Sequence, residues 1–243
     1  MIEQVRAELA PSGVLRAGIN LSNFLLVTGK TDAGDPEGVS PSMAAEIARR
    51  LDVDIQYVTF KTPGELADAA AENAWDIGLI GAEPARAELI DFTAAYAEIE
   101  ATYLVPPGSP LQKIAEVDQP GIRISVPARA AFELWLTDNI KQAELHRVPG
   151  RQAFDDFVSE NMDAYAGLRA GLVNDLEKMP GSRLLEGKFT SVQQAVGTPK
   201  GRENAAAFLS EFVEEAKASG FVAELIERFG VSGRLTVAPP AGP

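Results

Sequence analysis

Few side chains in this sequence could do covalent or metal chemistry. There is no cysteine and a single histidine, His146. Thiol catalysis, thiolate metal sites, multi-histidine centres and a Ser-His-Asp triad therefore lack material. His146 sits between Glu144 and Arg147 at a strand start and reads as a surface or packing residue. Glu83 and Glu133 could each serve as a general acid, provided burial raised the carboxyl pKa. Neither has a second group to complete a constellation, so no catalytic residue, metal ligand or cofactor is expected. What remains is binding chemistry. Arg86 follows Gly81-Ala82-Glu83 at what reads as a helix start. A guanidinium is always charged, and its planar fork matches a carboxylate through two parallel hydrogen bonds. The free N–H groups of a helix start would favour the same anion. The competing reading is a solvated helix arginine beside Glu83 or Glu88.

Such groups need elements to hold them, and strand and helix signals alternate along the chain, as in α/β proteins. Val14 to Asn20 reads as the first strand, and Asn20, Asn23 and Phe24 follow its C-terminal end, where α/β sheets place ligands. The asparagines can equally shape a turn, and Phe24 can equally be core. Ser40 as N-cap and Pro41 at the first helical position open a helix whose Met43, Ile47 and Leu51 share one face. Strands are expected at Asp54 to Phe60 and at Trp75 to Ile80, with a helix from Pro63 to Asn73 between them. Phe92 to Val105 reads as a long extended segment. A second α/β series follows, with strands at Ile122 to Val126, Leu145 to Val148 and Asp163 to Ala166. Its helices run over Ala130 to Asn139 and Ala153 to Ser159. Tyr165 lies on the last of these strands, where a phenol can reach a ligand or pack. Leu184 to Phe189 and Ser191 to Val196 read as extended, with the second crossing near 188–194, and helices run over Ala205 to Ser219 and Phe221 to Phe229. Val237 to Pro243 is rich in Pro, Gly and Ala and is expected to be disordered. Asp76 and Asp91 read as turn and cap residues.

The 243 residues suit two lobes, with 1–100 and 191–243 forming a discontinuous lobe I and 101–190 forming lobe II. Two extended crossings make a hinge, and a hinge between α/β lobes implies a small-molecule cleft. The net charge of −13 argues against nucleic-acid and anionic-membrane partners. No apolar run approaches the roughly 20 residues of a membrane span. The amphipathic opening from Met1 to Leu9 does not read as a secretory signal, which leaves open whether Met1 is the native start.

Several blocks resemble the family-3 solute-binding proteins of ABC transporters. They are Leu15-Arg16-Ala17-Gly18-Ile19-Asn20, then Gly38-Val39-Ser40 before a helix ending Ala44 to Leu51, then Trp75-Asp76-Ile77-Gly78 with Pro84-Ala85-Arg86-Ala87-Glu88-Leu89-Ile90-Asp91-Phe92-Thr93 and Tyr96. Gly197-Thr198-Pro199-Lys200-Gly201 is similar to the family's return crossing. The blocks keep their order over roughly 14–230. The resemblance implies a periplasmic binding protein type II fold, two lobes closing on a ligand, an ABC permease as partner, a monomer, and a periplasmic location, with the cytoplasm as the alternative. It places the ligand carboxylate on Arg86, beside Gly81, Ala82 and Glu83. It also implies an aromatic at Phe24 and second-lobe contacts from Arg129, Ala130, Phe132, Tyr165 and Gly167. The sequence departs from the amino-acid binders in three places, one being the Thr missing near Gly81. Gly167-Leu168-Arg169 has no acid for an α-ammonium, and Ala128-Arg129-Ala130-Ala131 replaces a hydroxyl-bearing turn with a cation. The expected ligand is thus a small organic solute bearing a carboxylate, or a dianion if Arg86 and Arg129 both face it. A cleft enzyme resembling the cyclohexadienyl dehydratases and a cytoplasmic or receptor-linked sensor are the alternatives.

Overall fold

The computed structural model describes residues 2–242, so Met1 and Pro243, on which the expectations about the native start and the tail in part rest, lie outside the described residues. Helix α1 (Ile2–Leu9) leads into β1 (Val14–Asn20), the short pair β2 (Gly29–Lys30) and β3 (Pro36–Glu37), and α2 (Val39–Leu51). Next come β4 (Asp54–Phe60), α3 (Pro63–Asp68), β5 (Ile77–Gly81), β6 (Ile90–Phe92) and β7 (Ala97–Val105). The middle of the chain forms β8 (Arg123–Pro127), α4 (Ala131–Asn139), β9 (Glu144–Val148), α5 (Gln152–Ser159), β10 (Ala164–Leu168), α6 (Arg169–Leu176) and β11 (Arg183–Leu184). The chain closes with β12 (Thr190–Pro199), α7 (Glu203–Ala218), α8 (Phe221–Arg228) and β13 (Thr236–Val237).

The chain divides into two compact units. Unit 1 takes the described residues up to Glu98 and from Gln193 onward, and unit 2 takes Ile99–Val192. The chain passes from one to the other inside β7 and inside β12. In unit 1 the strand order is β4-β1-β5-β12, with β6 on β12. The first three strands run parallel and β12 runs antiparallel to β5. Helix α2 buries Met43, Ala44, Ile47 and Leu51, the face its spacing predicts. Trp75 is fully buried against Leu66 and Ile80, and its indole N–H donates to the Leu66 carbonyl at 2.9 Å. In unit 2 the order is β7-β10-β8-β9, with β10, β8 and β9 parallel and β7 antiparallel to β10.

Three local expectations are corrected. Ser40 does not cap α2. Gly38 is the N-cap, and the Ser40 hydroxyl lies buried at 2.9 Å from the Tyr96 hydroxyl. Only glycine fits at 38, because its backbone has φ +149° and a Cβ there would collide with the Leu26 carbonyl. The helix expected to begin at Glu83 is a run of turns over 84–89, bridged by bonds such as Ala87 N–H to the Glu83 carbonyl at 3.0 Å. The described part of the tail is held in place rather than disordered. β13 pairs with β7, Ala238 is buried and its N–H donates to the Tyr96 carbonyl, and Lys217 reaches the Pro239 carbonyl. Pro and Ala side chains carry no disorder of their own when the backbone finds partners. No described helix is long and apolar enough to cross a membrane.

Candidate functional site

Unit 1 gathers its candidates at one end of one sheet. β1 and β5 are parallel neighbours in register, Ile19 beside Leu79. Their C-terminal ends therefore deliver Asn20 and Gly81 to the same edge, the edge that α/β sheets use for ligands. Beyond β5 the chain turns through Ala82 and Glu83, both half-buried, with the Ala82 N–H bonded to the Gln193 carbonyl at 2.8 Å. Arg86 is only 6% exposed, and its Nη1 donates to the Gly81 carbonyl at 2.7 Å. That bond aims the guanidinium back at the strand end. The turn geometry also removes the helix-terminus contribution to anion binding expected at Arg86, since the N–H groups of Arg86, Ala87 and Leu89 bond back within the loop. Asn20 accepts from the Ser22 N–H at 3.1 Å and hydroxyl at 2.7 Å, and buried Asn23 accepts from the Leu25 N–H at 3.2 Å. Both asparagines thus shape the turn after β1. Phe24 is 41% exposed, so it is not core.

In unit 2 the turn before α4 uses Arg129 differently. Arg129 has φ +63° and an exposed side chain, and its backbone N–H donates to Glu133 Oε2 at 2.9 Å. Glu133 is buried, and its Oε1 also receives the Thr137 hydroxyl at 2.8 Å and Arg147 Nε at 2.7 Å. Both oxygens of this carboxylate are thus occupied by donors from its own turn, its own helix and β9. Ala130 is the N-cap residue of α4, and Phe132 is buried in the core around Val126 and Leu136. Tyr165 belongs to a different cluster. Its ring stacks on Phe157 at 5.8 Å and meets Phe154 edge-on at 5.7 Å. Burial, helped by Asp175, pushes its hydroxyl up to about 12. At Gly167 a Cβ would stand 2.8 Å from Leu172 Cδ2, so a side chain there would have to push the buried Leu172 aside. The structure therefore brings Gly81 to Arg86 and Arg129 to Glu133, and places Phe132 and Tyr165 in separate packing clusters.

One residue that the sequence reading treated as a turn former is a buried ionic hub. Asp76 is 2% exposed. Arg16 grips it with Nε at 2.9 Å and Nη2 at 2.8 Å, its own N–H adds a third bond at 3.0 Å, and Arg202 Nη1 reaches it at 3.1 Å. The sequence signal was present: an acid directly before a fully apolar strand must find a partner. The partners lie 60 and 126 residues away, which no local pattern reveals.

A model of the bacterial extracellular solute-binding proteins, family 3, matches residues 18–232. Comparison with curated proteins finds no match. Among solved structures, a mutant of ArgBP from T. maritima is 21% identical with a TM-score of 0.73, over 93% of this chain and 99% of that one. The amino acid ABC transporter substrate-binding protein AbpA from Streptococcus pneumoniae, bound to L-arginine, is 18% identical with a TM-score of 0.72, over 92% of this chain and 98% of that one. The ancestral amino acid-binding protein AncCDT-1, a precursor of cyclohexadienyl dehydratase, is 19% identical with a TM-score of 0.71, over 91% of this chain and 97% of that one. These likenesses carry the fold, that of the type II periplasmic binding proteins. With the family model spanning most of its length, the chain belongs to the bacterial extracellular solute-binding proteins, family 3.

Proposed function

We propose that this solute-binding protein takes a small organic solute bearing a carboxylate, held by Arg86, and serves an ABC permease outside the cytoplasm. The observation that carries this reading is the Arg86 guanidinium itself. It is 6% exposed, fixed by the Gly81 carbonyl, and set just past the C-terminal end of β5, whose parallel neighbour β1 ends at Asn20. The planar fork of a guanidinium matches a carboxylate through two parallel hydrogen bonds. Ligand-bearing relatives add support, since AbpA is described as bound to L-arginine, an amino acid with a carboxylate. Arg129 is a second and separate candidate, tested on its own terms. Against a catalytic role stands Glu133, whose carboxylate is tied to Arg129, Thr137 and Arg147.

The test is a thermal-shift screen of amino acids, dicarboxylates, aromatic acids and hydroxy acids, each beside its amide or ester. A native-state ligand at a hundredfold its Kd should raise the melting temperature by roughly 5–10 °C for a chain of this size. Arg86→Lys keeps the charge and loses the fork, so it should lose most of that shift while melting near wild type without ligand. Equal response of Arg86→Lys and wild type to the acids would sink the clamp, and stabilisation by the amides as well would point to a neutral solute.

A further inference from the structure

His146 does not face solvent alone. On β9 its Nε2 lies 2.8 Å from Asp156 Oδ2 on α5, and Glu160, the residue ending that helix, sits one turn further on. One nitrogen and two carboxylate oxygens from these residues lie within 4.8 Å of one another. Asp156 and Glu160 are four apart and share a helix face, while the imidazole comes from a separate strand. That is a preorganised three-ligand set of the His-plus-carboxylate kind that binds first-row divalent cations with water completing the shell. We propose that His146, Asp156 and Glu160 form a Zn²⁺-class site on unit 2, clamping the edge strand β9 to the end of α5.

The surroundings bear on this in both directions. The Asp156 side chain is 19% exposed and that of His146 33%, so both are shielded while Glu160 remains open for a cation to enter. Arg123 stands 3.7 Å from one Glu160 oxygen and donates to the Glu160 and Asn161 carbonyls. A carboxylate has two oxygens, so Arg123 can keep one while the other ligates. Gln152 Nε2 lies at 3.5 Å from Asp156 Oδ2 and can orient that carboxylate. At the proposed site a cation replaces the His146–Asp156 hydrogen bond, and Zn²⁺ with two carboxylates leaves no net charge.

The full chain, free of any histidine tag, is titrated with Zn²⁺, then with Ca²⁺ and Mg²⁺ as controls. His146 is the only histidine, so its imidazole resonances need no assignment. The expected result is one Zn²⁺ per chain, a saturable shift of the imidazole nitrogens, and a melting temperature raised by Zn²⁺ but not by Ca²⁺ or Mg²⁺. His146→Gln and the exposed Glu160→Gln should each weaken binding by about tenfold or more. Glu160→Gln carries the test if His146→Gln folds poorly. Absence of an imidazole shift, or weak multi-site binding unchanged in Glu160→Gln, places Zn²⁺ on the general acidic surface and overturns the assignment.

Discussion

Each unit contains a buried acid and an arginine at a turn, and the two use them in opposite ways. In unit 1 the arginine side chain is the buried part, since Arg86 folds back onto Gly81. In unit 2 the arginine backbone is the working part. The Arg129 N–H satisfies Glu133, and the residue is exposed. The acids differ as well. Asp76 joins β1, β5 and the residue capping α7, far apart in sequence, whereas Glu133 ties together a turn, its own helix and β9, none more than 14 residues from it. An arginine in a sequence block therefore does not say which of its donors the fold will use. Burial and backbone conformation decide that.

The largest losses of stability are expected at the two acids. Asp76→Ala leaves Arg16 and Arg202 without their buried partner and should cost about 3–5 kcal/mol. Glu133→Ala also strands a polar cluster, but Arg147 is 42% exposed and can turn to water, so about 2–3 kcal/mol is expected. Urea titrations of both variants rank them. A larger loss at Glu133 would reverse the assignment of the long-range hub to unit 1.

Acid sharpens the contrast next. In unit 2, Glu100 is lowered by Arg169, Glu116 by the Gln112 and Lys113 N–H groups, and Asp118 by the N–H groups of Ala143, Gln142 and Lys141. In unit 1, Glu46 is lowered by Arg49 and Glu214 by Lys217. A carboxylate lowered in the native state contributes stability fully above its unfolded pKa, and that contribution is lost as pH falls through the lowered folded value. Stability should therefore be flat above about pH 5 and fall below about pH 4. Asp118→Asn should flatten part of that fall, and an unchanged acid limb would remove Asp118 from the explanation.

The smallest effect separates backbone from side chain. Arg129→Gly keeps the N–H that Glu133 needs and relieves a left-handed conformation, so stability should change by no more than about 1 kcal/mol, and upward. Loss of solute response in that variant, with melting temperature preserved, would give the Arg129 guanidinium a binding role. A full response would exclude the guanidinium from solute binding.

Strand β1 and strand β4 run over the residues that alternation and β-branching mark, and α2 buries the face that Met43, Ile47 and Leu51 define. These are local periodicities, and burial follows them directly. The family blocks were also readable, because they are contiguous. The segment over 84–89 was not. Pro84 suits a helix start and a turn equally, and the return of the chain into β6 on β12 forces the turn. The tail was misread for a related reason: composition marks it as unstructured, yet β7 supplies backbone partners for Thr236 and Val237. What the sequence alone determined is the α/β alternation, the family and the presence of Arg86. Tertiary structure decided which way Arg86 points, that Asp76 is a buried hub, and that His146 meets Asp156, because each depends on residues brought together from different elements, and local propensity carries no information about such contacts.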